Sequence, residues 1–292
     1  MLVFRTKITL FHDSKHYQKA FSKEISDLIL RCTHNVALPT SIIQHPLTNS
    51  KLVDSRQSPS DFCSKSAVVY ENVITKEEGQ SLLKDITFKM KRRRYEKAHW
   101  DSVITGYKEV ELPHPFDMQK LSSNQNSIEQ NDSGNHSWTL LSADSIHIIS
   151  KIRKLLQDHF FADNLNSLRW LPCHAIDLKK DGILSAHVDS IKFSGNIVAG
   201  LSLESSSIMR LKPDSHSYDS NKLKDLSLKG HIDLLLPPLS LYVLSGVSRF
   251  KYTHELLSSG ASFSSHELDE VIKVEREQRY SVIFRDTNPQ VK

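Results

Sequence analysis

Three pairs in this chain set a histidine two residues before an aspartate: His99 and Asp101, His187 and Asp189, and His231 and Asp233. In an extended backbone, residues i and i+2 point to the same side about 6.5 Å apart, so each pair can offer an imidazole and a carboxylate to one cation. Non-haem iron takes two histidines and one carboxylate on one face of its octahedron and keeps the opposite positions for substrates. The missing ligand is then a histidine far enough along the chain for a sheet to fold back. His254 lies 65 residues beyond Asp189, room for several strands, and follows the strand-like S-L-Y-V-L-S-G of residues 240–246. It lies only 21 residues beyond Asp233, which leaves little more than a hairpin, while Asp101 is followed by His114, ahead of Pro115, and by His136 in a polar stretch. His187, Asp189 and His254 are therefore the expected metal ligands, with S-A-H-V-D-S, residues 185–190, as the strand carrying the first two.

An iron oxygenase that consumes 2-oxoglutarate also needs a cation for the distal carboxylate, best supplied by the planar fork of arginine. R-Y-S-V-I-F-R provides Arg279 and Arg285, on the same face of a late strand as Ser281 and Ile283. Six residues of strand span about 20 Å, so the two arginines can bracket one small diacid only if their side chains lean together. Other chemistries find less support. Gly200-Leu201-Ser202-Leu203-Glu204 and Gly246-Val247-Ser248-Arg249-Phe250 lack the closing glycine of a nucleophile elbow, and there is no G-x4-G-K-[ST] phosphate loop. Cys32, Cys63 and Cys173 are far apart and odd in number, which suits free thiols in a reducing compartment.

These side chains need a sheet to position them. From Trp170 onward, short apolar runs bounded by Gly, Pro, Asp or Ser follow one another: P-C-H-A-I-D-L, I-L-S-A-H-V-D, N-I-V-A-G-L-S-L, S-I-M-R-L-K-P, I-D-L-L-L, S-L-Y-V-L-S-G and R-Y-S-V-I-F-R. Helical patterns are confined to the N-terminal side. After a strand at 68–74, Thr75 with Glu78 three residues later reads as a capping box. In residues 142–161, Ile146, Ile149, Ile152, Leu155 and Leu156 recur at helical spacing. The expected fold is mainly β with flanking helices, an antiparallel barrel or jelly roll of the cupin-like kind. It should span residues 67–292, with a polar, disordered insertion at about 122–137, after a flexible linker at 24–66.

At 38% hydrophobic and 25% charged, the 292 residues suit a globular protein, and no apolar run is long enough to span a membrane. The net charge of +4 is a mild basic bias. Residues 1–23 hold five Lys or Arg and one acid, Asp13, the composition of a mitochondrial transit peptide. The run K-M-K-R-R-R-Y-E-K, 89–97, is basic at six of nine positions and could contact phosphates or form a solvated face.

Taken together, the order of features resembles the AlkB family of Fe(II)/2-oxoglutarate-dependent dioxygenases, in particular its mitochondrial branch. The likeness is carried by H-W-D at 99–101, H-V-D-S-I-K-F-S-G at 187–195, A-G-L-S-L at 199–203, M-R-L at 209–211, S-L-Y-V-L-S-G and the R-x5-R of the last strand, over roughly residues 67–287. The resemblance implies a double-stranded β-helix holding Fe(II) by His187, Asp189 and His254, with no catalytic side chain beyond these ligands. Arg279, Tyr280, Ser281, Arg285 and Tyr242 would line the 2-oxoglutarate site, O2 would be the second cosubstrate, and the mitochondrial matrix the location. Members that act on nucleic acid carry Asn-x-Tyr where this chain has Ile176-Asp177-Leu178, and their nucleotide-recognition lid has no counterpart between Val73 and Trp138. Hydroxylation of a protein is the expected activity. Demethylation of mitochondrial RNA bases and a metal-free jelly-roll interaction module are the alternatives.

Overall fold

Strands rich in Val, Ile and Leu, buried on both faces, can only be interior layers, and that is their place in the computed structural model, which describes residues 50–97, 103–112, 141–161, 168–192, 194–218, 228–268 and 270–288. A six-stranded antiparallel sheet is ordered β2 (Ala67–Tyr70), β8 (Leu241–Ser245), β5 (Ser194–Leu203), β12 (Arg279–Thr287), β4 (Cys173–Leu184) and β3 (Ile104–Leu112). A four-stranded sheet is ordered β1 (Val53–Asp54), β7 (Ile232–Leu236), β6 (Ser207–Pro213) and β9 (Tyr252–Leu256), and β10 (Ala261–Phe263) pairs with β11 (Ile272–Val274) as a ribbon. Two antiparallel sheets face to face, with strands of one interleaved in sequence with those of the other, are the double-stranded β-helix expected from the sequence.

The helices cover the outer face of the large sheet. α1 (Lys76–Met90) starts at the capping box: the Thr75 hydroxyl accepts from the Glu78 amide at 3.2 Å, and the Thr75 amide donates to the Glu78 carboxylate at 2.8 Å. α2 (Ala143–Phe160) starts at Ser142, whose hydroxyl accepts from the Ser145 amide. Leu82, Ile86 and Met90 of α1 and Ile148, Ile149, Ile152 and Leu156 of α2 pack with Ala199, Leu201, Val243, Val282 and Phe284 into one core. A second core, with Val69, Leu178, Met209, Leu211, Leu234, Leu244 and Tyr252, fills the space between the sheets. The candidate site opens from that inter-sheet space.

The N-terminal boundary of the folded region differs from the sequence reading. Residues 50–66, read as linker, are integrated into the domain: Val53 and Asp54 pair with Leu234 and Asp233 of β7, and the Asp61 carboxylate accepts from the hydroxyls of Tyr218 and Tyr252. The segment is ordered by particular polar contacts and one short strand, so it carries no apolar periodicity. The expected transit peptide, the H-W-D stretch with His99, Trp100 and Asp101, and the insertion at 122–137 lie outside the described residues.

Candidate functional site

The His187 and Asp189 pair is not in a regular strand. It lies in the irregular segment after β4, fixed by one isolated antiparallel bridge between His187 and His254 of β9. The two histidines exchange both backbone bonds, the His187 amide donating to the His254 carbonyl at 3.2 Å and the His254 amide to the His187 carbonyl at 2.8 Å. Directly opposed residues project to the same side of a ladder, and the imidazole centroids stand 4.2 Å apart. A single bridge between distant segments thus does what a regular strand was expected to do.

Asp189 completes the group. One of its carboxylate oxygens lies 3.3 Å from His187 Nε2 and 3.8 Å from His254 Nε2, and one donor atom from each of the three residues lies within 4.8 Å of the others. The second carboxylate oxygen accepts from Arg285 Nε at 2.6 Å, so Asp189 has one oxygen to spare for a cation. His187 Nδ1 donates to the Ser185 carbonyl at 2.8 Å, the hydrogen bond that leaves Nε2 with its lone pair toward the carboxylate. Burial, with the nearby His187 as the second cause, lowers the pKa of His254 to about 3 and keeps that ring neutral. Burial alone would raise the Asp189 carboxyl, yet the Arg285 guanidinium beside it holds it well below the usual carboxylate range. Two imidazoles and one ionised carboxylate oxygen on a shared side fit the two-histidine, one-carboxylate face that non-haem iron takes.

The other His-x-Asp candidate within the described residues is spent elsewhere. Asp233 takes a bidentate pair from Arg210, at 2.8 and 2.7 Å, which leaves His231 at 3.7 Å without a shared cation site.

Along β12 the side chains alternate, so Arg279, Ser281 and Arg285 face the inter-sheet space. Arg285 reaches Asp189. Arg279, at the deep end, is 4% exposed; it donates to the Ser202 hydroxyl at 2.9 Å, while its Nε has no partner. Burial pulls its pKa down to about 10. This buried guanidinium has one neutral acceptor and no carboxylate partner among the described residues, the chemistry of a group that could take an anion. Tyr242 of β8 lies opposite Gly200 of β5, and a Cβ on Gly200 would stand 2.3 Å from the tyrosine ring. Only glycine lets that ring lie flat across the strand, where Arg279 and Arg285 both act on the hydroxyl, whose pKa burial pushes up to about 12.

Tyr280 departs from the expectation. It projects to the opposite face of β12, packs at the edge of the helix-side core, and accepts from Gln278 at 2.8 Å. The alternation that puts Arg279 and Ser281 in the site excludes the residue between them.

Arg249 is a site residue that the spacing argument missed. From the short helix α3 (Gly246–Phe250) its guanidinium donates to the Asp189 carbonyl at 3.0 Å and to the Ser194 hydroxyl at 2.7 Å, fixing the backbone beside the carboxylate. The signal available in sequence was an arginine five residues before the candidate ligand His254.

No protein-family model matches the chain. It is 32% identical over 219 residues to the Mus musculus protein named alpha-ketoglutarate-dependent dioxygenase alkB homolog 7, mitochondrial, covering 75% of this chain and 77% of that protein. The Bos taurus protein of the same name is 30% identical over 220 residues, covering 75% and 78%. Among solved structures, a prolyl hydroxylase from Trichoplax adhaerens in complex with a hypoxia inducible factor peptide fragment gives a TM-score of 0.46 at 8% identity over 94% of each chain, a likeness too distant to bear on function. On the identity and coverage of the two curated relatives, the chain belongs to the mitochondrial alkB homolog 7 family and is an Fe(II)- and 2-oxoglutarate-dependent dioxygenase, with O2 and 2-oxoglutarate (alpha-ketoglutarate) as cosubstrates.

Proposed function

We propose that His187, Asp189 and His254 hold the iron, that Arg279, Ser281, Arg285 and Tyr242 hold 2-oxoglutarate, and that the enzyme hydroxylates a protein side chain in the mitochondrial matrix. The observation that carries the cosubstrate reading is the buried Arg279, whose Nε has no partner and whose hydrogen bond goes to the neutral Ser202 hydroxyl. When bound, iron and 2-oxoglutarate activate O2 at the cost of decarboxylating the cosubstrate to succinate. The protein supplies the geometry. Arg279 takes the distal carboxylate in a dry slot where a charge-assisted pair is strong. The Tyr242 hydroxyl donates to the same anion, while Arg285 keeps Asp189 ionised and turned so that one oxygen is free. Arg249 fixes the backbone of that ligand, and the walls between the sheets exclude water from the reacting atoms.

The protein substrate is supported by the side of the large sheet that continues the site toward β3. His174 lies opposite Ile283, and Glu109 and Glu111 of β3 stand beside it, with His174 bonded to the Glu109 carboxylate. Glu109 is close enough to act on the Arg285 guanidinium. A phosphodiester approaching over this wall meets carboxylates, whereas a polypeptide carries no such penalty.

The test is an anaerobic titration of the protein with Fe(II) and 2-oxoglutarate, following the visible charge-transfer band of the chelate. The band is expected in the wild type and absent in His187→Ala and Asp189→Ala, which also lose succinate production. A full band in either variant would remove the ligand assignment. Stimulation of succinate release by matrix RNA and not by matrix protein would remove the protein substrate.

A further inference from the structure

The cations around the site fall into two groups. Arg285 and Arg249 bracket Asp189, one at its carboxylate and one at its carbonyl, so the outer pair has an anion within the chain. At the deep end Arg279 has a companion with no such anion. Arg276, in the link between β11 and β12, is 4% exposed. Its Nη1 donates to the Lys179 carbonyl at 3.1 Å and its Nη2 to the Gly182 carbonyl at 2.6 Å, while its Nε has no partner among the described residues. Burial lowers its pKa, against the pull of the exposed Asp181. The charge of Arg276 in turn adds to the burial that lowers Arg279.

Register makes the two arginines neighbours. Arg279 stands opposite Leu178 of β4, and Leu178 opposite Tyr107 of β3, but the next β3–β4 pair is Thr105 with Ile183. Residues 179–182 therefore bulge out of β4 against Gly106 alone. Gly182 folds back so closely that a Cβ there would stand 2.6 Å from the Leu178 side chain. The guanidinium that takes the Lys179 and Gly182 carbonyls thus sits beside Leu178, which belongs to the inter-sheet core and pairs across from Arg279. A peg for two carbonyls has no need of a charge, since a neutral amide donates as well. A buried guanidinium on neutral acceptors keeps most of its desolvation cost, and a like charge nearby adds to it. One carboxylate entering the slot offsets both at once.

We propose that Arg276 is the second cation of the cosubstrate slot, a specificity-determining residue that favours a diacid through its charge rather than by contact. The inference rests on the reading that Arg279 takes the distal carboxylate of 2-oxoglutarate. Both terminal nitrogens of Arg276 are engaged by β4, so its charge is fixed in place before the ligand arrives and needs no reorganisation on binding. An oxo acid that ends in a methyl group leaves two buried cations unanswered, whereas the diacid answers both, and the difference is selectivity.

The test is anaerobic titration of the Fe(II)-loaded full chain with 2-oxoglutarate and with 2-oxopentanoate, which has the same chelating end and no distal carboxylate. The charge-transfer band reads the affinity of each. Arg276→Gln is expected to weaken 2-oxoglutarate about ten- to thirtyfold, the effect of one charge at about twice contact distance in a protein site, and to leave 2-oxopentanoate unchanged. Arg276→Lys, which keeps the charge, is expected to keep most of the preference. Equal weakening of both oxo acids in Arg276→Gln would make Arg276 a structural peg, and a preference lost as fully in Arg276→Lys would show that charge is not the cause; either overturns the proposal. Arg279→Met separates the two readings. A preference that collapses there and is untouched in Arg276→Gln removes the role of Arg276 alone, whereas a preference untouched in both removes the cosubstrate reading with it. The metal-free protein gives a second measurement through Arg276→Met, Arg279→Met and the double variant. The melting temperature of the double is expected to lie below the sum of the single changes, because either substitution ends the repulsion. Additive changes would show that the two charges do not act on each other, and would overturn the proposal even if Arg276→Gln did not fold.

Discussion

Replacing Arg279 by methionine should raise the stability of the metal-free protein and destroy its affinity for 2-oxoglutarate, two effects of opposite sign from one buried charge. The guanidinium is 4% exposed and, among the described residues, has the Ser202 hydroxyl as its one acceptor and leaves Nε unpartnered. Such a charge keeps most of its desolvation cost, and an apolar side chain of similar length removes it at the expense of one neutral hydrogen bond. The expected gain is about 1–3 kcal/mol. For a domain of this size that corresponds to a rise of roughly 2–10 °C in melting temperature. The diacid, in turn, loses a buried charge-assisted partner worth about 3–5 kcal/mol, or two to four orders of magnitude in affinity. Thermal unfolding of the apo protein and anaerobic titration with 2-oxoglutarate read the two numbers separately. A variant that melts lower than the wild type and binds 2-oxoglutarate as well would refute the reasoning, because Arg279 would then be a structural residue with a hidden partner.

Two further outcomes follow from the same geometry. Gly200→Ala places a Cβ 2.3 Å from the Tyr242 ring, so the ring must leave its seat at a cost of about 1–3 kcal/mol, and the KM for 2-oxoglutarate should rise with it. Adding Tyr242→Leu should restore the melting temperature but not the KM; wild-type values for the single variant would show that the ring is not held by the glycine. The metal-free protein should also lose stability in acid. His254 stays neutral in the fold down to about pH 3, while in the unfolded chain it takes a proton near the ordinary histidine value of 6.5. Stability is therefore complete above pH 6.5 and falls as pH drops through the window between these values, by about 1.4 kcal/mol per pH unit for this one group. Urea unfolding of the wild type and His254→Gln across that window should show a steeper slope in the wild type, and equal slopes would rule out a buried neutral imidazole.

The parts of the site legible in the sequence were those where one side-chain type at one distance does the work. His187, Asp189 and His254 could be chosen because a sheet needs a minimum length of chain to bring a third ligand back, and because Asp233 had too little chain before the next histidine. The late strand could be read as a strand, which put Arg279 and Arg285 on one face. The same alternation could have rejected Tyr280 beside Ser281, and did so in the structure. The seat of the His187 pair was misjudged for a physical reason: one reciprocal backbone bridge to His254 aligns two side chains as firmly as a long ladder, and leaves no periodic trace. Residues 50–66 escaped notice similarly, since Asp54 and Asp61 act through single polar contacts.

What the sequence concealed is mostly what lies across from the chemistry. Ser202 and Gly200 matter only because β5 runs beside β12 in the register that sets Ser281 opposite Ser202 and Ile283 opposite Gly200, and because β8 runs beside β5 on its other edge with Tyr242 opposite Gly200. Shifting either pairing by one residue would put Ala199 or Leu201 in the slot and leave Arg279 with no acceptor at all. Arg249 depends on a longer chain of circumstance: Gly246 at φ +47° turns the backbone into α3, which aims the guanidinium back at the Asp189 carbonyl. A metal ligand advertises itself by its own chemistry, whereas the residues that aim it are ordinary until the register is known. Hence the candidate triad could be proposed from spacing together with its strand context, while the groups around it had to be found in the fold.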